Sequence, residues 1–385
     1  MSTLYKGISS LVLTGESFGD IRMIEDAALA VDEGKVRYAG SAEAAPACDE
    51  VVDLKGQTVI PGVVDSHSHL IFAGERSEEF ASRMTGKPYA AGGIRNTVKA
   101  TRAASDDELR ANAKKLIAEF HASGITQFEI KSGYGLDIET EVRSLKIASE
   151  LTPHTTFLGA HVVPEGIQRS DYVSLVQGEM LEAVRPYAKW IDVFCDQGAF
   201  DVTEAKQILQ AGIAAGLKPR LHANQIANIG AIPMAVELDC ASVDHSTHLS
   251  AEDIAALSGS NTVVTLLPAA EFSTKSSYPD GRRLASSGVT LAIATDCNPG
   301  SSYTTSMSFC IAIAVREMGL SPEQALWAAT KGGAKALRSS GGGLEVGDQA
   351  DFVVLDAPSH VFISYRPGVQ LVSATYIAGK KVVGA

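Results

Sequence analysis

The chain predicts an α/β fold, a (β/α)8 TIM-type barrel with a small β-sandwich assembled from both termini. Three observations carry that expectation. Eight apolar, strand-like runs alternate with amphipathic helical stretches through the middle of the chain. Both ends read as short strands broken by glycine turns. Histidines and carboxylates gather where the eight runs end.

The two ends are alike. Residues 1–60 hold "SSLVLTG", "AALAVDEGKVRYAGS" and "VVDLKGQTVIPG", with "DEGK" placed as a hairpin turn between "ALAV" and "VRYAG". Near the other terminus, "GGGLEVGDQADFVVLDAP" and "VSATYIAGKKVVGA" read as strands around Gly-Asp and Gly-Lys turns. Residues 1–60 and 344–385 are therefore expected to build one composite β-domain, and residues 61–343 the barrel.

The eight runs of the middle are "GVVDSH", "GITQFEIKS", "TTFLGAHVV", "WIDVFCD", "PRLHAN", "ASVDHS", "TVVTLLP" and "LAIATD". The helices between them have readable starts and stops. "SDDELRANAKKLIAEFHASG" opens with a Ser105–Glu108 capping box and stops at Gly124. "SPEQALWAATKGGAKAL" has Ser321 as N-cap, Pro322 at the first helical position and Gln324 closing the box. An open doubly wound sheet also alternates, but it rarely needs eight such units, so the closed barrel is preferred.

Composition narrows the function classes. The 385 residues are 45% hydrophobic and 20% charged, with a formal charge of −12 and no basic run. That argues against a nucleic-acid or anionic-membrane partner, although a locally positive pocket for an acidic substrate remains compatible with it. Five scattered cysteines (Cys48, Cys195, Cys240, Cys297 and Cys310) without a C-x-x-C pair fit a reducing compartment. The N-terminus lacks a signal-peptide pattern, and no apolar run approaches the ~18–20 residues that span a bilayer. A soluble cytoplasmic protein is the expectation.

In (β/α)8 barrels chemistry sits at the C-terminal ends of strands. The first run ends in His67 and His69, the second in Glu129 and Lys131, and the third in His161. The fifth ends in His222, the sixth in Asp244 and His245, and the eighth in Asp296. Period-two alternation puts both imidazoles of His67-x-His69 on one face. A single histidine at such a place is more often a hydrogen-bonded polar residue near a core. Joined by His222 and the Asp296 carboxylate from strands across the mouth, the pair forms an N3O set suited to zinc, iron or manganese with a position left for water. A cation in that place acidifies its water, which makes hydrolysis the first expectation. His245 stands outside the ligand set by spacing and is placed to shuttle a proton or bond a developing oxyanion. His248, three residues on, reads as surface, and Cys195 and Cys297 as small buried residues. No P-loop and no strand-linked G-x-G-x-x-G occurs, which disposes of a nucleotide-binding reading.

These residues resemble the metal-dependent amidohydrolase superfamily. The more specific segments "FAGERSEEF", "GGIRNTVKATRAAS", "EIKSGYGLD", "TFLGAHVVP", "DVFCDQGAF" and "ATDCNPGSS" resemble the imidazolonepropionase family within it, over nearly the whole chain. The resemblance implies hydrolysis of 4-imidazolone-5-propanoate to N-formimino-L-glutamate, one zinc or iron ion, a carboxylate-bearing small-molecule substrate and a homodimer. It assigns His67, His69, His222 and Asp296 as ligands and Arg76 as the grip on the substrate carboxylate, a role that a planar guanidinium suits. It also assigns Tyr89, Tyr134, His161, Asn298, Gly300 and Ser301 to substrate contact.

The chain departs from the family pattern in places. After His222 it reads "HANQ", so Gln225 stands where some members carry a glutamate. A glutamine can orient the substrate ring by hydrogen bonds but cannot take a proton from water, so that role passes to His245 or to Asp296, with His245 preferred. "GKPYAAGGI", which carries Tyr89, is shorter than in many members, and "LLPAAEFSTKSSYP" lacks the expected aromatics. Two rivals compete: a deaminase of amino-heterocycles, which favours glutamate at position 225, and a non-catalytic barrel, which tends to lose ligands.

Overall fold

The computed structural model describes residues 1–86 and 93–384, with seventeen strands among them. Four come first: β1 (Thr3–Thr14), β2 (Ile21–Asp32), β3 (Lys35–Ser41) and β4 (Glu50–Pro61). Ten short ones follow: β5 (Val63–Asp65), β6 (Ile125–Phe128), β7 (Ile130–Lys131), β8 (Thr155–Ala160), β9 (Trp190–Cys195), β10 (Lys218–Pro219), β11 (Leu221–Ala223), β12 (Ser242–His245), β13 (Val263–Leu266) and β14 (Leu291–Ile293). The chain finishes with β15 (Phe352–Leu355), β16 (Val372–Ile377) and β17 (Lys380–Val383).

The ten short strands occupy eight positions, because β6 with β7, and β10 with β11, are each one interrupted strand. All their pairings are parallel. They run β7-β8-β9-β11-β12-β13-β14 in space, with β5 paired to β6. Closure comes from the first position to the last. The Asp296 amide donates to the His67 carbonyl at 3.0 Å, and the His69 amide to the Cys297 carbonyl at 2.9 Å. Asp65 reinforces that seam by accepting from the Thr295 amide at 3.2 Å and hydroxyl at 2.5 Å. The eight strands expected from the sequence are these eight positions. They are buried on both faces, which is why they read as apolar runs rather than alternating ones.

Helices cover the outside. The helix Asp106–Ala122 begins at the Ser105–Glu108 capping box, and Gly124 then turns with φ 87°. The segment from Pro322 to Ala336 starts at the Ser321–Gln324 box and carries a π-type turn at Ala328–Gly332. Two glycines let it lie against the barrel. A Cβ on Gly333 would stand 2.2 Å from the Val64 carbonyl oxygen, and one on Gly332 2.3 Å from that of Leu291.

The terminal strands make one continuous sheet, ordered β17-β16-β15-β4-β1-β2-β3, drawn from both ends of the chain. Only the β1–β4 pairing is parallel. Bulges in β1 and β4 bend the sheet around its own core, where Phe352 stacks on Tyr376 and Tyr5 meets both edge-on, with ring centroids 4.3–5.2 Å apart. This region, drawn from both termini, is the small β-sandwich expected from the sequence, its seven strands hydrogen-bonded as one continuous path. The Trp327 indole fastens it to the barrel by donating to the Gly15 carbonyl at 2.9 Å.

Gly333→Ala tests how closely that last helix must approach β5. The added methyl meets backbone that cannot swing aside, so we expect a loss of about 1–3 kcal/mol of stability in denaturant melts. A variant as stable as the parent would contradict the packing described.

Candidate metal centre and active site

The strand ends bring four imidazoles and one carboxylate together at the barrel mouth. His67 and His69 leave the end of β5 with their Nε2 atoms 3.2 Å apart, and Asp296 Oδ1 lies 3.4 Å and 3.5 Å from them. The ligand atoms of His67, His69 and His222 all lie within 4.8 Å of one another, as do those of His67, His245 and Asp296. His67 Nδ1 is 2.7 Å from Asp244 Oδ2, and His222 Nδ1 is 3.0 Å from Asp192 Oδ2. Each Nδ1–H is held by a carboxylate, so each Nε2 turns a lone pair toward the centre. Lone pairs converging in a buried space repel unless a cation lies between them, and an N3O donor set fits such a cation. Burial, with neighbouring positive groups, holds His67 and His69 well below the usual imidazole range, in the neutral form that ligates.

Backbone shape contributes to this convergence. Asn224, His245, Ser246 and Asp296 all have positive φ, between 51° and 70°. Non-glycine residues in that region are uncommon, and here they turn side chains over the mouth. His245 is buried with its Nδ1 lacking a hydrogen-bond partner, and burial holds its ring neutral.

Beneath the imidazoles lies a buried ionic cluster. The Lys131 ammonium is 2.8 Å from Glu129, 2.8 Å from Asp192 and 3.6 Å from Asp244. Arg220 lies 3.5 Å from Asp244 and donates to the Ser66 carbonyl at 2.7 Å. Burial opposes ionisation of Asp192 and Asp244, yet their cationic neighbours outweigh it and hold both carboxyls below their ordinary range.

A pocket of about 470 Å³, partly open to solvent, sits over the imidazoles. It is lined by His69, His222, His245, Asp296, Arg76, Tyr134, His161, Gln225, Asn298 and Ser301. Of the remaining expected residues, His67 lies buried behind His69 and Gly300 lies behind Arg76, while Tyr89 falls outside the described residues. Arg76 is almost wholly buried, and Glu79 grips its Nε and Nη2 at 2.8 Å and 2.7 Å. A Cβ on Gly300 would stand 2.1 Å from Arg76 Nη1, so a side chain there would push the guanidinium out of place. Asn298 Oδ1 accepts from the amides of Gly300 and Ser301 at 2.8 Å each, and the Ser301 hydroxyl donates to Asp296 Oδ2 at 3.1 Å. The turn after β14 therefore braces the carboxylate and abuts Arg76 at once. The His161 ring is 3.0 Å from the Gly133 carbonyl, and burial beside His222 pushes it down to about 3. Asp196 accepts from the amides of Gln225, Ile226 and Ala227, which fixes the loop that carries Gln225.

The amidohydrolase family profile matches residues 58–382. An imidazolonepropionase of Mycolicibacterium smegmatis is 56% identical over 384 residues, covering 98% of this chain and 97% of the relative. Another, from Streptomyces griseus, is 54% identical over 388 residues, covering 99% and 100%. The chain belongs to the imidazolonepropionase family of amidohydrolases. Solved structures extend the likeness of fold alone. A guanine deaminase of C. acetobutylicum superposes with TM-score 0.72 at 14% identity over the full length of both chains. A zinc-bound adenosine deaminase of Xanthomonas campestris gives 0.72 at 18%, covering 99% of this chain and 93% of that one. An amidohydrolase with this histidine and aspartate cluster is a metal-dependent enzyme acting on a small molecule.

Several residues that shape this imidazolonepropionase-family site escape sequence reasoning. Asp192, Arg220 and Glu79 were given no role there. Asp192 and Arg220 carried one usable signal, a charge inside an apolar strand that must find a partner once buried. Glu271 had none. It sits in the helix after β13, buried, with one oxygen accepting from Thr247 at 2.8 Å and the other without a hydrogen-bond partner.

Burial pushes the Glu271 carboxyl up to about 8. From pH 4.5 to about 8 the folded protein keeps a proton that the unfolded chain releases, so stability falls as pH rises through that window. Glu271→Gln removes this titration. Its melting temperature relative to the parent should increase between pH 5 and pH 9, and a difference that does not change with pH would contradict the assignment.

Proposed function

We propose that this chain hydrolyses 4-imidazolone-5-propanoate to N-formimino-L-glutamate, with one zinc or iron ion held by His67, His69, His222 and Asp296. The observation that carries the proposal is Arg76. A pre-aligned guanidinium lines the same pocket as three candidate ligands, which suits a substrate with a carboxylate at one end and a reactive carbonyl at the other. Relatives more than half identical over nearly the whole chain bear the name of that activity.

An ion bound by these four residues would supply an acidified water and a Lewis acid for the ring carbonyl. The chain's residues do the rest. Arg76, held by Glu79 and backed by Gly300, grips the propionate; Tyr89 belongs to the same proposed grip. Tyr134, His161, Gln225 and Asn298 orient the ring, and Ser301 steadies Asp296. His245, neutral because it is buried, takes the proton of the attacking water. The new C–O bond gives a tetrahedral intermediate. Its collapse breaks the endocyclic C–N bond, and His245 returns the proton to the leaving nitrogen. Asp296 assists by holding the water in line, and Gln225 hydrogen-bonds without accepting a proton.

The wider proposal places the reaction in the cytoplasm, in a homodimer. No helix among the described residues is long and apolar enough to cross a membrane, and the charge of −12 disfavours nucleic acid as a partner. Residues 61–343 would carry the chemistry, and residues 1–60 with 344–385 would support it.

The test is loss of the ring's ultraviolet absorbance with appearance of formiminoglutamate. Turnover should vanish on chelation, and Arg76→Ala should lower kcat/KM about 10- to 100-fold, the worth of a charge-assisted grip of about 1.5–3 kcal/mol, mainly through KM. A metal-loaded protein that left this compound at its spontaneous rate but turned over amino-heterocycles would overturn the proposal.

A further inference from the structure

We infer that Lys131 is a positioning residue for the metal centre: it aligns the two carboxylates that hold His67 and His222 in their ligating orientation. The inference rests on the ligand assignment above and concerns a residue with no place in the reaction.

Lys131 is wholly buried at the end of β7, and its ammonium reaches no water. A buried ammonium survives only among anions, and three surround it. Glu129 comes from the same strand position, Asp192 from β9 and Asp244 from β12. Two of the three also hold a histidine of the centre. Asp192 accepts from the His222 amide at 3.0 Å and holds its Nδ1, while Asp244 holds His67 Nδ1. One cation therefore fastens together the partners of two histidines from opposite sides of the barrel. His222 and Asp244 are also register partners across β11 and β12, so a shift of either carboxylate is felt at both rings.

The charges agree with this role. Lys131 and Arg220 face Glu129, Asp192 and Asp244, and Asp296 adds a fourth carboxylate at the mouth. A divalent ion brings the set to neutrality, whereas without Lys131 the carboxylates crowd one another with only Arg220 among them. Repulsion would then drive Asp192 and Asp244 apart and turn both Nδ1–H donors off line. Metal-ligating histidines whose outer partners are lost typically bind their ion 10- to 100-fold more weakly.

The experiment measures zinc affinity by chelator competition, together with the visible spectrum of the cobalt(II)-loaded protein, in the parent, Lys131→Met, Asp192→Asn and the double variant. The parent should bind one ion tightly. Lys131→Met should bind it about 10- to 100-fold more weakly and shift the cobalt bands. Because the lysine acts through Asp192 as well as Asp244, adding Lys131→Met to Asp192→Asn should weaken binding by less than it weakens the parent. Unchanged affinity and spectrum in Lys131→Met, with the parent loaded, would overturn the inference and leave the ligand assignment standing. If Lys131→Met does not fold, the double variant, whose charge balance matches the parent, decides: affinity and cobalt spectrum equal to those of Asp192→Asn would overturn it, because Asp244 would then hold His67 without the lysine. A parent that binds no ion would refute both readings.

Discussion

Charge buried beneath the barrel mouth is the constraint on which the site depends. Two cations and three carboxylates lie out of water around Lys131, and each would be costly if left without partners. Their pairing draws on four strand positions at once, so the strands can close in only one register. The upper edge of the cluster faces the imidazoles. In Asp192 and Asp244 the Oδ2 atom that faces the lysine also meets the ring of His222 or His67, which turns a solution for burying charge into a fixed orientation of the imidazoles.

Above that layer the architecture becomes one of loops. The left-handed residues His245 and Asp296 stand at the end of β12 and three residues beyond β14, where both side chains line the pocket at the mouth. The turn Asn298–Ser301 links two tasks, bracing Asp296 through Ser301 and abutting Arg76 through Gly300. Arg83, which donates to the Gly300 carbonyl at 2.8 Å, ties that turn to the helix that carries Glu79. Asp296, Arg76 and the helix that carries Glu79 are thereby referred to one rim.

Much of this was legible in the chain, for identifiable reasons. Eight apolar runs separated by capped helices follow from strands buried on both faces, and that pattern survives without tertiary information. His67 and His69 were legible because period two is local. His222 and Asp296 were legible because both end apolar runs. Other features were not. The bent single sheet depends on bulges in β1 and β4 that alter no hydrophobic pattern. Glu79 lies in an exposed-looking "GERSEE" and becomes a partner of Arg76 once the helix Ser77–Met84, which begins at Arg76, sets the two three residues apart on one face. Asp192 could be flagged as a charge in a core strand, but its partner sits 30 residues away. Lys131 and Asp244 were seen at strand ends without a role, because pairing across a barrel leaves no spacing in one sequence.

The most direct test is anomalous X-ray scattering at the zinc and iron edges from crystals of the protein as purified. The account predicts one peak, bonded to His67, His69, His222 and Asp296, with Asp192 and Asp244 on the far side of the imidazole rings. No peak, or a peak seated among Asp192, His222 and Asp244, a group whose ligand atoms also lie within 4.8 Å of one another, would contradict it.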